Sequence, residues 1–160
     1  MNEAYLKKRL REALAEVMPD CVVIRHEDKF SAGVPDLSVT WAGRTAWVEV
    51  KYARTGRPAR TTALQDLMLK RLASAGAPAL LVTYAEPRRG QPGRATRVVR
   101  YAGEETGWAL ASDQYDPASA AGVQMLGGAE TLDGFDHQGV AFRVARALCE
   151  TPSANEEFEK

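Results

Sequence analysis

The 160-residue chain is 45% hydrophobic and 26% charged, which suits a soluble globular protein of one domain, or of one domain with a tail. Its two cysteines, Cys21 and Cys149, form no CxxC pair and have no neighbouring Cys/His cluster, so neither a disulfide framework nor a zinc site is signalled. No apolar run approaches the roughly 18 residues that a membrane span needs, and the first residues read as a charged amphipathic helix instead of a signal peptide. A cytoplasmic protein is expected.

Zero net charge conceals a division. Residues up to Tyr101 carry 18 Lys and Arg against 10 Asp and Glu, and those from Ala102 onward carry 3 against 11, so the two parts hold +8 and −8. A basic front half is what a phosphate backbone attracts, whereas an acidic rear half reads as an extension that competes for the same surface.

In chain order, Asn2 can cap a helix in which Tyr5, Leu6, Leu10, Ala13, Leu14, Val17 and Met18 recur at three- and four-residue spacing until Pro19-Asp20. Cys21 to Ile24 is a short β-branched run. Asp36 to Trp41 alternates as a strand, Ala42-Gly43-Arg44 turns, and Thr45 to Tyr52 returns as the second arm of a hairpin. An Arg/Gly/Pro loop covers 53–60. A second helix is predicted over Thr62 to Ala75, closed by Gly76, and the apolar run Ala79 to Tyr84 fits a strand buried on both faces. Thr96 to Ala102 predicts one further strand and Val140 to Cys149 a helix. Gly103 to Gly134 shows no sustained period and reads as loops with a short element around Trp108, and Thr151 to Lys160 as a disordered acidic end. The order predicts an α/β fold of the α+β sandwich kind, with a central mixed sheet flanked by helices. A core over 1–102, an acidic extension over 103–150 and a tail over 151–160 follow.

The chemistry-bearing residues lie on the hairpin. Glu49 and Lys51 are two apart on an otherwise apolar strand, so period two puts both on one face. Asp36 follows the rigid Gly33-Val34-Pro35 and lies near Glu49 once the hairpin closes. Two convergent carboxylates are a hard oxygen site for Mg²⁺ or Mn²⁺, and such an ion beside a lysine suits phosphodiester hydrolysis.

Gly33-Val34-Pro35-Asp36-Leu37 followed by Trp47-Val48-Glu49-Val50-Lys51 resembles the signature of the PD-(D/E)XK nucleases, and within them most of all the VRR-NUC domains, which are related to Holliday-junction resolvases. Gln65 in a Thr-x-x-x-Gln stretch and an acid in the first helix strengthen the likeness, which spans about residues 2–84. The resemblance implies a restriction-endonuclease-like core and a catalytic set of Asp36, Glu49, Lys51 and Gln65. It also implies a metal held by Asp36, Glu49, the Val50 position and an acid of the first helix. Of Glu3, Glu12 and Glu16, helical phase selects Glu3, which shares the face of Leu6, Leu10 and Leu14. Arg54, Arg57 and Arg60, on the loop after the strand, suit phosphate contacts.

These readings predict a magnesium-dependent deoxyribonuclease acting on branched or nicked duplex DNA in repair, recombination or replication and working as a homodimer, with a phage origin left open. The alternatives are a silent DNA- or protein-binding module on the same fold and a restriction-type nuclease. His26 and His137 lack a partner pattern and read as structural, as do Trp41, Trp47 and Trp108.

Overall fold

The computed structural model describes residues 1–27, 32–54, 59, 61–87, 94–101 and 129–150. Among these residues three helices flank one six-stranded sheet. In chain order the elements are α1 (Glu3–Val17), β1 (Val22–Arg25), β2 (Leu37–Trp41), β3 (Arg44–Ala53), α2 (Ala63–Ser74), β4 (Ala79–Ala85), β5 (Ala95–Arg100), β6 (Ala129–Asp133) and α3 (His137–Cys149). The strands lie side by side in that order, β3 and β4 parallel and every other pair antiparallel. The predicted mixed α+β sandwich is what forms.

Local rules explain the elements. The Asn2 side chain accepts from the Tyr5 N–H and starts α1, whose Leu6, Leu10, Ala13 and Leu14 are buried. All seven residues of β4 are buried, as expected of a strand covered on both faces. Ala42 and Gly43 turn the hairpin with φ of 50° and 77°, the left-handed conformation that a two-residue turn requires.

One face of the sheet, carrying Val39, Val48, Val50, Val82, Tyr84 and Val98, packs with α1 and α3. On the other face Ala53, Leu81, Val99 and Tyr101 pack with Leu69 of α2 and with Ala59.

The rear of the chain departs from the sequence reading. Residues 129–133, read as loop, form β6 against β5. The helix predicted from Val140 starts at His137, because Asp136 caps it by accepting from the Gly139 N–H at 2.7 Å. Gly139 lowers helix propensity and so hid that first turn. Val140, Val144, Ala147 and Leu148 of α3 share the core of Leu6, Leu10 and Leu14, and the Arg44 guanidinium donates to the carbonyls of Leu148, at 2.8 Å, and Glu150. Within the described residues, 129–150 therefore belong to the same sheet and core as 1–101. The rest of the expected extension, Trp108 included, and the acidic tail lie outside the described residues.

A chain ended after Tyr101 would lose β6, α3 and five buried side chains of α3. Losing several core side chains at once exceeds the roughly 2–5 kcal/mol that a single buried large-to-small change costs, against a total stability of about 5–15 kcal/mol. The truncated chain is expected to show no cooperative thermal transition by circular dichroism; a sharp transition near that of the full chain would show that residues 1–101 fold alone.

Candidate active site at the notch between two strands

Strand β2 begins at Leu37, opposite Val48, whereas β3 continues to Ala53. Beyond Val48, among the described residues, one edge of β3 therefore has no strand beside it, and the N–H groups of Val50 and Tyr52 point to that edge. Both are satisfied by carboxylates. Asp36 Oδ2 accepts from Val50 N at 2.9 Å and Glu3 Oε1 from Tyr52 N at 3.2 Å. In a strand the carbonyl of a residue points to the same side as its N–H, so the Val50 carbonyl also faces the notch.

Glu49 and Lys51 stand on the α2 face, as period two requires. Lys51 Nζ lies 2.7 Å from Glu49 Oε1, with the glutamate side chain 1% exposed and the lysine 14%. Glu49 Oε2 accepts from the Asp36 N–H at 3.2 Å. Gln65 reaches the same carboxylate from α2, donating from Nε2 to Oε1 at 2.5 Å. Its own Oε1 accepts from Thr62 N at 2.9 Å, which closes a capping box with the Thr62 hydroxyl. One amide thus starts α2 and fixes its first turn to Glu49.

The loop before Asp36 is pressed onto that turn. Gly33 has φ +91°, and a Cβ there would stand 2.8 Å from the Leu64 carbonyl oxygen, so both conformation and space require glycine. A contact missed in the sequence completes the site. Lys7, one turn after Glu3 on α1, is ion-paired with Asp36 Oδ1, and both side chains are largely buried, at 13% and 16% exposure. The spacing of four from Glu3 was a readable signal for it.

Asp36, Glu49, Lys51 and Gln65 are thus brought together, and Asp36, Glu49 and the Val50 carbonyl are the oxygens that could hold a divalent cation. Glu3 departs from the expected ligand set. It lies beside the notch, as helical phase predicted, but its carboxylate is engaged by Tyr52 N, one step further along β3. Among the described residues no three His, Cys, Asp or Glu side chains cluster to hold a metal ion, so the acids form a pair, not a triad. Glu12 and Glu16 face away, toward Arg9 and Gln138. Arg54 follows Ala53, the last residue of β3, and is exposed, while Arg57 and Arg60 lie outside the described residues. His26 bonds Ser38 Oγ at 2.9 Å and stacks on Trp47, and His137 bonds the Tyr84 hydroxyl. Both histidines therefore have structural partners.

Neither a model of a known protein family nor a characterised protein matches the chain. The chemistry of the notch therefore stands on its own residues.

Burial, and after it the negative charge of Asp36, push the Glu49 carboxyl above the ordinary range, with Lys51 pulling it back. For a carboxyl raised in the folded state, the associated stability is fully present below the unfolded pKa and is lost as pH rises through the folded value. Glu49→Gln, which cannot ionise, is expected to gain stability relative to the parent as pH rises from about 4 toward 8. Urea unfolding across that range checks it, and a constant difference would show that Glu49 titrates like a free glutamate.

Proposed function

We propose that this chain is a metal-dependent endonuclease hydrolysing phosphodiester bonds of DNA, as its likeness to the PD-(D/E)XK nucleases implies. The observation that carries the proposal is the meeting of Asp36, Glu49, Lys51 and Gln65 at one strand edge. Two buried carboxylates side by side are costly unless a cation is nearby; here Lys7 and Lys51 face them, and the site suits a harder cation as well.

Asp36, Glu49 and the Val50 carbonyl would hold Mg²⁺ or Mn²⁺, whose remaining positions go to water and phosphate oxygen. A cation so placed supplies Lewis-acid polarisation of the phosphate and acidifies water. Lys51 then stands ready to orient the attacking water and offset charge building on the phosphoryl oxygens. Gln65 holds the Glu49 carboxylate in position, and Lys7 does the same for Asp36. Arg54 would meet the DNA backbone beyond the centre. Branched or nicked duplex as substrate, action as a homodimer and a cytoplasmic role in repair, recombination or replication belong to the same proposal. On the location, among the described residues no helix is long and apolar enough to cross a membrane.

A second reading has its own support. Asp36 and Glu3 complete the ladder of β3, and Asp36 and Glu49 have lysine partners, so the set could serve folding in a non-cleaving DNA- or protein-binding module. Charge-removing variants that keep an acceptor for the backbone separate the two. Asp36→Asn, Glu49→Gln and Lys51→Met are each expected to stay folded and to lower cleavage of nicked or branched DNA at least about 100-fold, the scale on which single preorganised charges act in such sites. Activity should need Mg²⁺ or Mn²⁺ and stop in EDTA. Near-parent cleavage by any two of the variants, or none by the parent on flapped, junction, single-stranded and duplex DNA, would remove the nuclease reading.

A further inference from the structure

Past the notch, at the end of the sheet where β3 and β4 finish and β5 begins, a cluster of side chains that the proposed chemistry does not use gathers on the face that carries α1 and α3. The Tyr52 hydroxyl donates to Glu86 Oε1 at 3.1 Å, and Arg94 Nε donates to Glu86 Oε2 at 3.3 Å. The Arg94 guanidinium lies 5.0 Å over the ring of Phe135, whose ring meets Tyr52 and Tyr84 edge-on, with centroids 6.4 Å and 5.6 Å apart.

Arg94 is therefore held through its Nε and through one face of its guanidinium, while its side chain remains 52% exposed. An ion pair this open adds little to stability, so folding is a weak reason to fix a guanidinium so closely. What the arrangement leaves outward is a planar set of donors of the kind that grips a phosphate. Both Glu86 oxygens are engaged, one by Tyr52 and one by Arg94, which lessens their repulsion of an approaching anion. Arg54 stands two residues beyond Tyr52, just after β3 ends, and is exposed. Burial and then the Glu86 carboxylate raise the Tyr52 phenol, while Arg54 and Arg94 act in the opposite direction.

We propose that Arg94 and Arg54 form a second phosphate-binding subsite that grips the nucleic-acid backbone beside the Asp36–Glu49–Lys51 centre, with Tyr52, Glu86 and Phe135 as its positioning residues. The proposal rests on the nuclease reading and names part of its substrate contact. Position fits it: Tyr52 directly follows Lys51 on β3, and its hydroxyl meets the same Glu86 carboxylate that holds Arg94.

The test is binding, separate from cleavage: the full chain titrated into fluorescein-labelled duplex and single-stranded oligonucleotides in EDTA, by anisotropy, over a salt series. Arg94→Ala is expected to melt with the parent, to bind about 3- to 10-fold more weakly near 0.1 M salt, and to flatten the slope of log affinity against log salt by about 0.9 on duplex or 0.7 on a single strand. Arg94→Lys should restore the slope, since one charge is one phosphate, but only part of the affinity, since lysine lacks the planar fork. If Arg94→Ala keeps the parent's affinity and slope, the subsite is wrong while the nuclease reading stands. Full recovery of affinity by lysine overturns the positioning role of Glu86 and Phe135. A parent chain that neither binds nor cuts any of these nucleic acids removes the nuclease reading, and the subsite with it.

Discussion

The site depends on an unfinished ladder. Strand β3 continues past the point where β2 begins, and each backbone N–H left facing the gap needs an acceptor, because a buried orphan donor costs about as much as a lost hydrogen bond. Asp36 and Glu3 meet that need at Val50 and Tyr52. Two acids are thereby held at the end of the sheet whether or not they do chemistry. The same gap leaves the Val50 carbonyl without a strand beside it, so an acceptor oxygen is set among the carboxylates by the sheet's own stagger.

Charge then has to be balanced where water is scarce. Glu49 is fully buried and an isolated ion there would be expensive, so it is met by Lys51 and by the Gln65 amide, and Asp36 by Lys7. The ammonium groups come from different elements, β3 and α1, and the amide comes from α2. Three packed elements therefore converge on two carboxylates. That convergence explains why rigid neighbours surround the notch: Gly33 has no room for a Cβ against Leu64, and Thr62 and Gln65 cap α2 reciprocally.

How much of this the sequence disclosed follows from which signals are local. The hairpin, the shared face of Glu49 and Lys51, and the helical phase of Glu3 are matters of period and turn chemistry, which neighbouring residues settle. Strand β6 was hidden because its partner β5 lies about thirty residues earlier and its five residues, Ala-Glu-Thr-Leu-Asp, carry no clear alternation. The four-residue spacing from Glu3 puts Lys7 on the same side of α1, but its partner Asp36 is 29 residues away, so only the packing of α1 across the β2–β3 boundary shows the pair. Arg94 gave no signal either. It follows a Pro/Gly/Arg stretch that reads as an ordinary basic loop, and Glu86 and Phe135, which hold it, are distant from it in sequence by 8 and 41 residues.

The acidic rear of the chain gains a different meaning from the fold. Read as charge alone, it was expected to compete with DNA for the basic front. Among its described acids, Asp136 caps α3 and Glu150 pairs with Arg100 and Arg146. Arg100 belongs to the basic front, so part of the charge division is cancelled within the core and at its rim. An acid already paired with an arginine attracts the basic surface less than its formal charge suggests, since the pair's field falls off faster than that of a lone charge and is further screened over about 10 Å at ordinary salt. For these residues the segregation in sequence is chiefly a record of which elements must dock: α3 returns to α1 and to the β2–β3 turn, where Arg44 donates to the carbonyls of Leu148 and Glu150, and the Glu150 carboxylate meets Arg100 of β5.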